Sequence, residues 1–313
     1  MEKKNIALAI DLGATNIRMA LISKQGKIIK KIREKTIKTG KSGVVIAEQM
    51  KRMIYTLAER EEIKTLAGIG IGSIAPLDLK KGAVVNTPNI PFQFIPLVGP
   101  LEKEFSLKVS LFNDCRAGVW GEKCFGAGKG KENLVYITIS TGLGGGAIVN
   151  NHLLLGTDGN AGEIGHIIVD NKYNFPCRCK KGFGHWEALA SGNNLVRFFD
   201  FWQKKNKIRG KFNFSEAKDI FDAAKSRNKI VLKFLDQVGK ANARAISDII
   251  VAYNPELITI GGSVALHNPG FTIKPIKKYV DHYIRVPEIK ITPLGGDITL
   301  FGAAACVFWP PIT

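Results

Sequence analysis

The sequence from Asn5 to Ile22, N-I-A-L-A-I-D-L-G-A-T-N-I-R-M-A-L-I, consists of two apolar runs on either side of a short turn. This pattern predicts a β-hairpin, and Gly13 allows the positive φ that a tight turn can require. Asp11 interrupts a strand that otherwise reads as buried, where a carboxylate is costly unless it is bonded or lies near a cation such as Mg2+. Thr15 and the amides of the turn could hold a phosphate. The alternative is a plain hairpin without a ligand.

A second stretch, from Asn133 to Asn150, repeats this pattern as N-L-V-Y-I-T-I-S-T-G-L-G-G-G-A-I-V-N. The repetition suggests a duplicated core in which each half offers a glycine turn to a nucleotide. Thr141 and Gly142 are therefore further candidates for phosphate binding. A later strand-like run ends in another glycine turn, where Gly261 and Gly262 are expected to let the adenine or ribose approach closely.

The densest group of polar side chains lies between residues 159 and 187, where G-N-A-G-E-I-G-H is followed by C-R-C-K-K-G-F-G-H-W-E. Four of these side chains fit a tetrahedral zinc site: His166, Cys177, Cys179 and His185. The segment is too short and too rich in glycine to bury a core, so a bound metal would supply its folding energy. Glu163 lies three residues before His166, so both side chains could face one cavity that binds a polyhydroxylated substrate. The alternative is a glycine-rich turn with two structural cysteines and solvated charges.

Two further positions are suited to ligand contact. A short strand from Lys108 ends in Asn113 and Asp114, and ligands of open α/β sheets lie beyond the carboxyl ends of strands. Asp114 is thus a candidate general base, the alternative being that it only caps the next helix. Prolines restrict the loop around Asn89, which either presents this side chain to a ligand or is simply a turn.

Composition places the chain among globular proteins, since it has 313 residues, of which 45% are hydrophobic and 23% are charged. No apolar run approaches the roughly 18 residues that would span a bilayer. We expect a cytoplasmic protein without a membrane partner, because Cys115, Cys124 and Cys306 lie in apolar or helical contexts that suit a reducing compartment. The net charge of +18 is scattered and lacks interleaved aromatic residues, which favours a solvated surface over nucleic acid binding. The positive field would still attract nucleotides or polyphosphate.

Taken together, D-L-G-A-T-N-I-R, N-D-C-R-A, S-T-G-L-G-G-G, G-N-A-G-E-I-G-H, C-R-C with H-W-E, and G-G-S resemble the motifs of the ROK family of sugar kinases and repressors. The resemblance implies an α/β protein with the two-lobed actin-like ATPase (ribonuclease H-like) fold, with nucleotide and sugar in the cleft between the lobes. The smaller lobe would comprise residues 1–114 plus 298–313, and the larger lobe residues 115–297. The implied activity is transfer of the γ-phosphoryl group of ATP to the 6-hydroxyl of a hexose, which is expected to be glucose alone or a broad range of hexoses. N-acetylmannosamine and fructose are the alternative substrates.

The resemblance also implies roles for individual residues and requires ATP, Mg2+ and a structural Zn2+. Asp114 matches the catalytic base. The expected sugar contacts are Asn113, Asp114, Glu163, His166 and Glu187, to which the loop argument adds Asn89. The expected nucleotide and Mg2+ contacts are Asp11, Gly13, Thr15, Thr141, Gly142, Gly261 and Gly262. His185 stands where the family has a third cysteine, after a connection one residue longer, and imidazole can replace thiolate on zinc.

A sugar-sensing transcriptional regulator is the main alternative, because the family contains repressors. Those proteins carry a helix-turn-helix segment before the first hairpin, whereas here the hairpin begins within the first ten residues and Asp114 is present. A third hypothesis retains the fold and replaces ATP by polyphosphate as the donor. The expected partners are a sugar and a nucleotide, and the family pattern favours a homodimer or a higher homo-oligomer.

Overall fold

The computed structural model describes residues 4–157, 159–208 and 212–312. Its contacts divide the chain into two compact units. The first comprises Met1–Glu132, Gly146–Gly162 and Asp297–Thr313, and the second comprises Asn133–Gly145 and Glu163–Gly296. This division differs from the predicted one, because the residues directly after 114 belong to the first unit. The lobes defined as 1–114 plus 298–313 and 115–297 stay a prediction.

Most of the strands lie in the first half of the chain. The described strands are β1 (Ile6–Leu12), β2 (Asn16–Ser23), β3 (Ile28–Lys35), β4 (Ile69–Ser73), β5 (Leu77–Asp78), β6 (Ala83–Val85), β7 (Phe94–Pro96), β8 (Val109–Asn113), β9 (Leu134–Ile139), β10 (Leu143–Val149), β11 (His152–Leu153), β12 (Leu257–Gly261) and β13 (Glu288–Ile291).

Most of the helices lie between runs of strands. The described helices are α1 (Val44–Leu57), α2 (Arg60–Lys64), α3 (Val98–Phe105), α4 (Asp114–Cys124), α5 (Trp186–Ala190), α6 (Gly192–Lys205), α7 (Ala217–Lys225), α8 (Lys229–Tyr253), α9 (Ser263–His267), α10 (Pro269–Tyr279) and α11 (Ile298–Phe308). Of these, α5 to α8 follow one another, and no strand of the described residues lies between them. Two short 3-10 turns cover Ile164–His166 and Gly295–Asp297. None of the described helices is both long enough and apolar enough to cross a membrane.

The first unit is built on a five-stranded sheet in the order β3-β2-β1-β4-β8. The hairpin predicted for residues 5–22 is confirmed, since β1 and β2 pair in antiparallel fashion with Asp11 opposite Arg18. β4 runs parallel to β1, and β8 runs parallel to β4. The carboxyl ends of β1, β4 and β8 therefore lie along one edge, with Leu12, Ser73 and Asn113 in register.

The two faces of β1 pack against different layers because side chains alternate along a strand. Leu8, Ile10 and Leu12 join the large apolar cluster that includes residues of α1. Ala7 and Ala9 face α11. These small side chains let α11 come close to the sheet, and at Gly70 of β4 a Cβ atom would lie only 1.9 Å from the carbonyl oxygen of Ala303. Helix α11 thus packs directly on the sheet of the first unit.

A second five-stranded sheet has the order β11-β10-β9-β12-β13. Within the second unit β12 lies between β9 and β13 and is parallel to both. The long helix α8 is preceded by its N-cap residue Asn228, whose side chain accepts hydrogen bonds from the amides of Ile230 and Val231. It is followed by its C-cap residue Asn254, which has the left-handed conformation. Each of the two five-stranded sheets contains one of the two similar stretches as neighbouring strands, β1 beside β2 and β9 beside β10. A duplicated core stays a prediction.

Candidate active site

Asp11 lies at the carboxyl end of β1 and forms an ion pair with Arg18. The Nε and Nη2 groups of Arg18 donate to the same carboxylate oxygen of Asp11, Oδ2, at 2.8 and 2.5 Å. Burial raises the pKa of Asp11 above its ordinary value, and the neighbouring guanidinium only partly offsets this effect. Among the residues that the structure describes, none bonds to Oδ1. The carboxylate therefore has one oxygen suited to a cation, which fits the predicted Mg2+ site.

The turn after Asp11 differs in detail from its prediction. Gly13 does not adopt a positive φ, so that expectation is wrong. Gly13 does have little room for a side chain, because a Cβ atom there would make a tight contact, 3.0 Å, with the carbonyl oxygen of Asn16. Its amide donates to the same oxygen at 3.0 Å and is thus used within the turn. Thr15 is exposed at the tip, where its hydroxyl can reach a ligand.

Asp114 is the first residue of α4 and lies at the same sheet edge as the turn after Asp11. Two strand spacings separate β8 from β1, which corresponds to about 10 Å. The Oδ1 atom of Asp114 accepts hydrogen bonds from the side-chain amide of Asn113 and the backbone amide of Cys115, both at 2.8 Å. These bonds fix the orientation of the carboxylate, as a positioned general base requires.

Asn113, rather than Asp114, is the N-cap of α4. Its Oδ1 accepts hydrogen bonds from the amides of Cys115 and Arg116, at 3.0 and 3.4 Å. The capping role that competed with catalysis for Asp114 thus belongs to its neighbour. Asn89 is exposed in the loop after β6, and its amide lies 3.4 Å from the hydroxyl of Thr87.

In the second unit, two of the predicted nucleotide turns lie side by side. The carboxyl ends of the parallel strands β9 and β12 are in register, with Gly261 opposite Thr138. The hydroxyls of Ser140 and Ser263, which follow these strands, lie 2.9 Å apart. The sequence argument did not single out these serines, although each adjoins a glycine turn. Thr141, which precedes Gly142, is exposed beside them.

The glycines of the later turn have different structural reasons. Gly262 has φ of +85°, and a Cβ atom there would lie 2.5 Å from the carbonyl oxygen of Ile139. A Cβ atom at Gly261 would lie 2.7 Å from the hydroxyl of Tyr136. Packing within the sheet therefore accounts for both glycines, and their contact with adenine or ribose stays a prediction.

Glu187 follows His185, one of the four predicted metal ligands, by two residues and contacts the turn at Gly142. Its Oε2 accepts a hydrogen bond from the amide of Leu143 at 3.0 Å. Trp186, which precedes it, is fully buried and donates from Nε1 to Asn242 of α8 at 2.7 Å. The buried indole anchors the start of α5, and this fixes His185 on one side and Glu187 on the other.

Four side chains of the second unit form a compact group: His166, Cys177, Cys179 and His185. Their ligand atoms all lie within 4.8 Å of one another. The Nδ1 atoms of the two histidines are 3.3 Å apart, and Nδ1 of His185 is 3.5 Å from Sγ of Cys179. Tetrahedral zinc with ordinary bond lengths requires N–N and N–S separations of about 3.3 and 3.6 Å. The donor set and its spacing thus fit zinc.

The protonation of this group has two opposite effects on metal binding: it hinders binding at Cys177 and helps it at His185. Burial raises the pKa of the Cys177 thiol to about 11. Burial also lowers the pKa of His185, and the nearby His166 adds to this effect. A metal would have to displace the proton of Cys177, and imidazole in its neutral form is ready to coordinate. Glu163 and His166, the other predicted sugar contacts of this region, are both exposed.

Comparison with solved structures identifies the fold. A ROK family glucokinase from Streptomyces griseus, solved in complex with glucose and AMPPNP, superposes with a TM-score of 0.77 and 27% identity, over 96% of this chain and 98% of that one. The protein therefore has the actin-like ATPase fold, and the predicted fold class is confirmed.

Sequence comparison finds relatives of higher identity than this structure. The glucokinase of Pyrobaculum calidifontis is 38% identical over 309 residues, which cover 98% of this chain and 96% of that protein. The glucokinase of Thermotoga maritima is 35% identical over 314 residues, which cover 96% of each. Residues 7–308 match the ROK family. The chain belongs to the ROK family, as the motifs predicted.

Proposed function

We propose that the protein is an ATP-dependent glucokinase that transfers the γ-phosphoryl group of ATP to the 6-hydroxyl of glucose. The observation that carries this proposal is the similarity to glucokinases along nearly the whole chain. It is supported by the oriented carboxylate of Asp114 at the carboxyl edge of the first sheet. A sugar and a nucleotide are the corresponding small-molecule partners.

In this mechanism Asp114 accepts the proton of the 6-hydroxyl as that oxygen attacks the γ-phosphorus. Asn113 and Cys115 hold the carboxylate in place through its Oδ1 atom, so that its orientation is set before the sugar binds. Asn113 thereby orients the base in addition to its proposed contact with sugar hydroxyls.

The remaining predicted contacts complete the proposal. Glu163, His166, Glu187 and Asn89 bind hydroxyls of the sugar. The turns that contain Gly13 and Thr15 in the first unit, and Thr141, Gly142, Gly261 and Gly262 in the second, contact the nucleotide. Asp11 would hold the Mg2+, which neutralises charge that develops on the phosphoryl oxygens.

We also propose that the group of two cysteines and two histidines binds a structural zinc ion. The N–N distance of 3.3 Å and the N–S distance of 3.5 Å support this site. His185 then takes the place of the family's third cysteine. Because His185 and Glu187 flank the buried Trp186, zinc binding would restrain the carboxylate that faces the glycine turn.

Glucose is preferred over N-acetylmannosamine and fructose because the relatives cited above are glucokinases, and ATP is preferred over polyphosphate because the related structure holds AMPPNP. Assembly as a homodimer or a higher homo-oligomer and a cytoplasmic location belong to the same proposal. The test is a coupled assay with a panel of hexoses, with ATP and polyphosphate as alternative donors. The expected result is the highest kcat/KM for glucose with ATP. Absence of phosphorylation with every sugar and donor would reject the proposal.

A further inference from the structure

Four charged side chains of the first unit form a chain of ion pairs that begins at Asp11. Arg18 lies opposite Asp11 in the β1–β2 pair and donates to it from Nε and Nη2. The Nη1 atom of Arg18 lies 3.4 Å from Oδ1 of Asp297, and Nζ of Lys31 lies 2.7 Å from Oδ2 of the same residue. Arg18 is therefore placed between two carboxylates from opposite ends of the chain.

The structural elements that carry these groups are anchored by helix packing and strand pairing. Asp297 is the N-cap residue of α11, and this helix packs on Ala7 and Ala9 of β1. Lys31 lies on β3, opposite Ala20 of β2. Since sheet and helix fix both ends of the series, the guanidinium of Arg18 cannot turn away without breaking contacts with both carboxylates.

The contact between Arg18 and Asp11 is unusual in its geometry. A guanidinium commonly binds a carboxylate with one N–H group to each oxygen. Here both N–H groups reach Oδ2, and in the part of the chain that the structure describes no donor reaches Oδ1. This arrangement fixes the plane of the carboxylate and directs Oδ1 away from the guanidinium.

We propose that Arg18 is a positioning residue that holds the Asp11 carboxylate with Oδ1 available to the metal of the metal–nucleotide complex. Asp297 in turn holds Arg18, and Lys31 holds Asp297. Outer partners of this kind orient a ligating carboxylate, and their loss weakens metal affinity by about 10- to 100-fold. This role rests on the proposed function, because it assumes a nucleotide whose phosphates carry a divalent cation.

If Arg18 had only a structural role, it would link β2 to α11, and its replacement would not change the metal affinity of the folded protein. Arg52 provides a matched control within the same unit. Its Nη1 and Nη2 atoms donate to Glu34 at 2.9 and 2.6 Å, so it forms a comparable arginine–carboxylate pair on the surface. It lies outside every contact assigned above to substrate or nucleotide.

The test measures binding of Mn2+ to the protein–AMPPNP complex by electron paramagnetic resonance, which requires no turnover. In Arg18→Met we expect Mn2+ affinity to fall at least tenfold, whereas in Arg52→Met it should stay within twofold of the unchanged protein. Arg18→Lys retains a positive charge between the carboxylates and lacks the planar fork, so its affinity should fall by about fivefold. The last variant preserves the charge balance if Arg18→Met does not fold.

Unchanged Mn2+ affinity in a folded Arg18→Met or Arg18→Lys protein would overturn the role of Arg18, as would an equal loss in Arg52→Met. The hexose assay on the unchanged protein is run in parallel. A protein that binds Mn2+ and AMPPNP and phosphorylates no sugar would reject the glucokinase proposal. The role of Arg18 would still be decided by the binding measurements.

Discussion

The Oε2 atom of Glu187 lies 3.0 Å from the amide nitrogen of Leu143, so a carboxylate proposed to bind sugar also supports the turn proposed to bind nucleotide. Glu187→Gln retains an oxygen that can accept this bond, whereas Glu187→Ala removes it. A hydrogen bond to a charged group contributes about 1.5–3 kcal/mol, so we expect the KM for glucose to rise about tenfold or more in both variants. Only Glu187→Ala should also raise the KM for ATP. Steady-state kinetics with each substrate varied would reveal this difference, and equal ATP constants in the two variants would contradict the link.

Asp114→Asn tests the general base. The amide retains the size of the side chain and can still accept from the amide of Cys115, but it cannot take up a proton at neutral pH. We expect kcat to fall by about 100- to 10,000-fold while glucose binding, measured calorimetrically, is retained. Asp200→Asn, on the exposed side of α6, is the control and should leave kcat unchanged. Near-normal turnover of Asp114→Asn would remove Asp114 from this role.

Zinc content is the direct test of the four-residue group. We expect one zinc ion per chain by elemental analysis, and loss of the metal in Cys177→Ala. A metal present at 1,000 times its dissociation constant stabilises the folded state by about 4 kcal/mol, so this variant should show a lower unfolding midpoint. Cys124→Ala is the matched control, because Cys124 lies outside the group. Full zinc occupancy in Cys177→Ala would show that the thiol is not a ligand.

Removal of zinc should also affect the sugar site. Because His185 and Glu187 flank Trp186 at the start of α5, loss of the metal should loosen the carboxylate that faces the turn. We expect protein stripped with a chelator to show a raised KM for glucose, and added Zn2+ to restore it. If the metal-free protein shows unchanged glucose kinetics, zinc stabilises the fold and does not affect the sugar site.

Two helical glycines of the first unit offer a matched comparison of packing. At Gly302 of α11 a Cβ atom would lie 1.8 Å from the carbonyl oxygen of Ala117, whereas at Gly99 of α3 nothing lies within 4 Å. Gly302→Ala should lower the free energy of unfolding by about 2 kcal/mol through overpacking. Gly99→Ala should raise it by up to about 1 kcal/mol because alanine favours helix. Urea denaturation measures both, and a stabilised Gly302→Ala would show that α4 and α11 can separate without cost.

The sequence predicted those features that depend on local pattern. Alternating apolar runs indicated the hairpin of β1 and β2, and the short strand before Asp114 placed this residue at a sheet edge. The spacing of His166, Cys177, Cys179 and His185 likewise predicted one cluster, whose ligand atoms the structure brings together. In each case the residues concerned are close in sequence or share a repeated motif.

Features that depend on distant contacts were not predicted. The ion pair between Arg18 and Asp297 joins residues 279 positions apart, so no local sequence pattern could predict it. Gly13 was expected to serve through a positive φ, whereas in the structure its φ is not positive and a Cβ atom there would lie 3.0 Å from the carbonyl oxygen of Asn16. The capping of α4 by Asn113 could not be distinguished from capping by Asp114, because both residue types favour that position.

The packing of α11 on β1 has a consequence for synthesis of the chain. Ala7 and Ala9 leave the ribosome nearly 300 residues before Leu300, Ala303 and Ala304, which cover them. The second unit draws its residues from the interior of the chain and can fold while α11 is still being translated. During that interval one face of the first sheet stays open to solvent, and it is the face on which a nascent chain would be most prone to capture by chaperones or to aggregation.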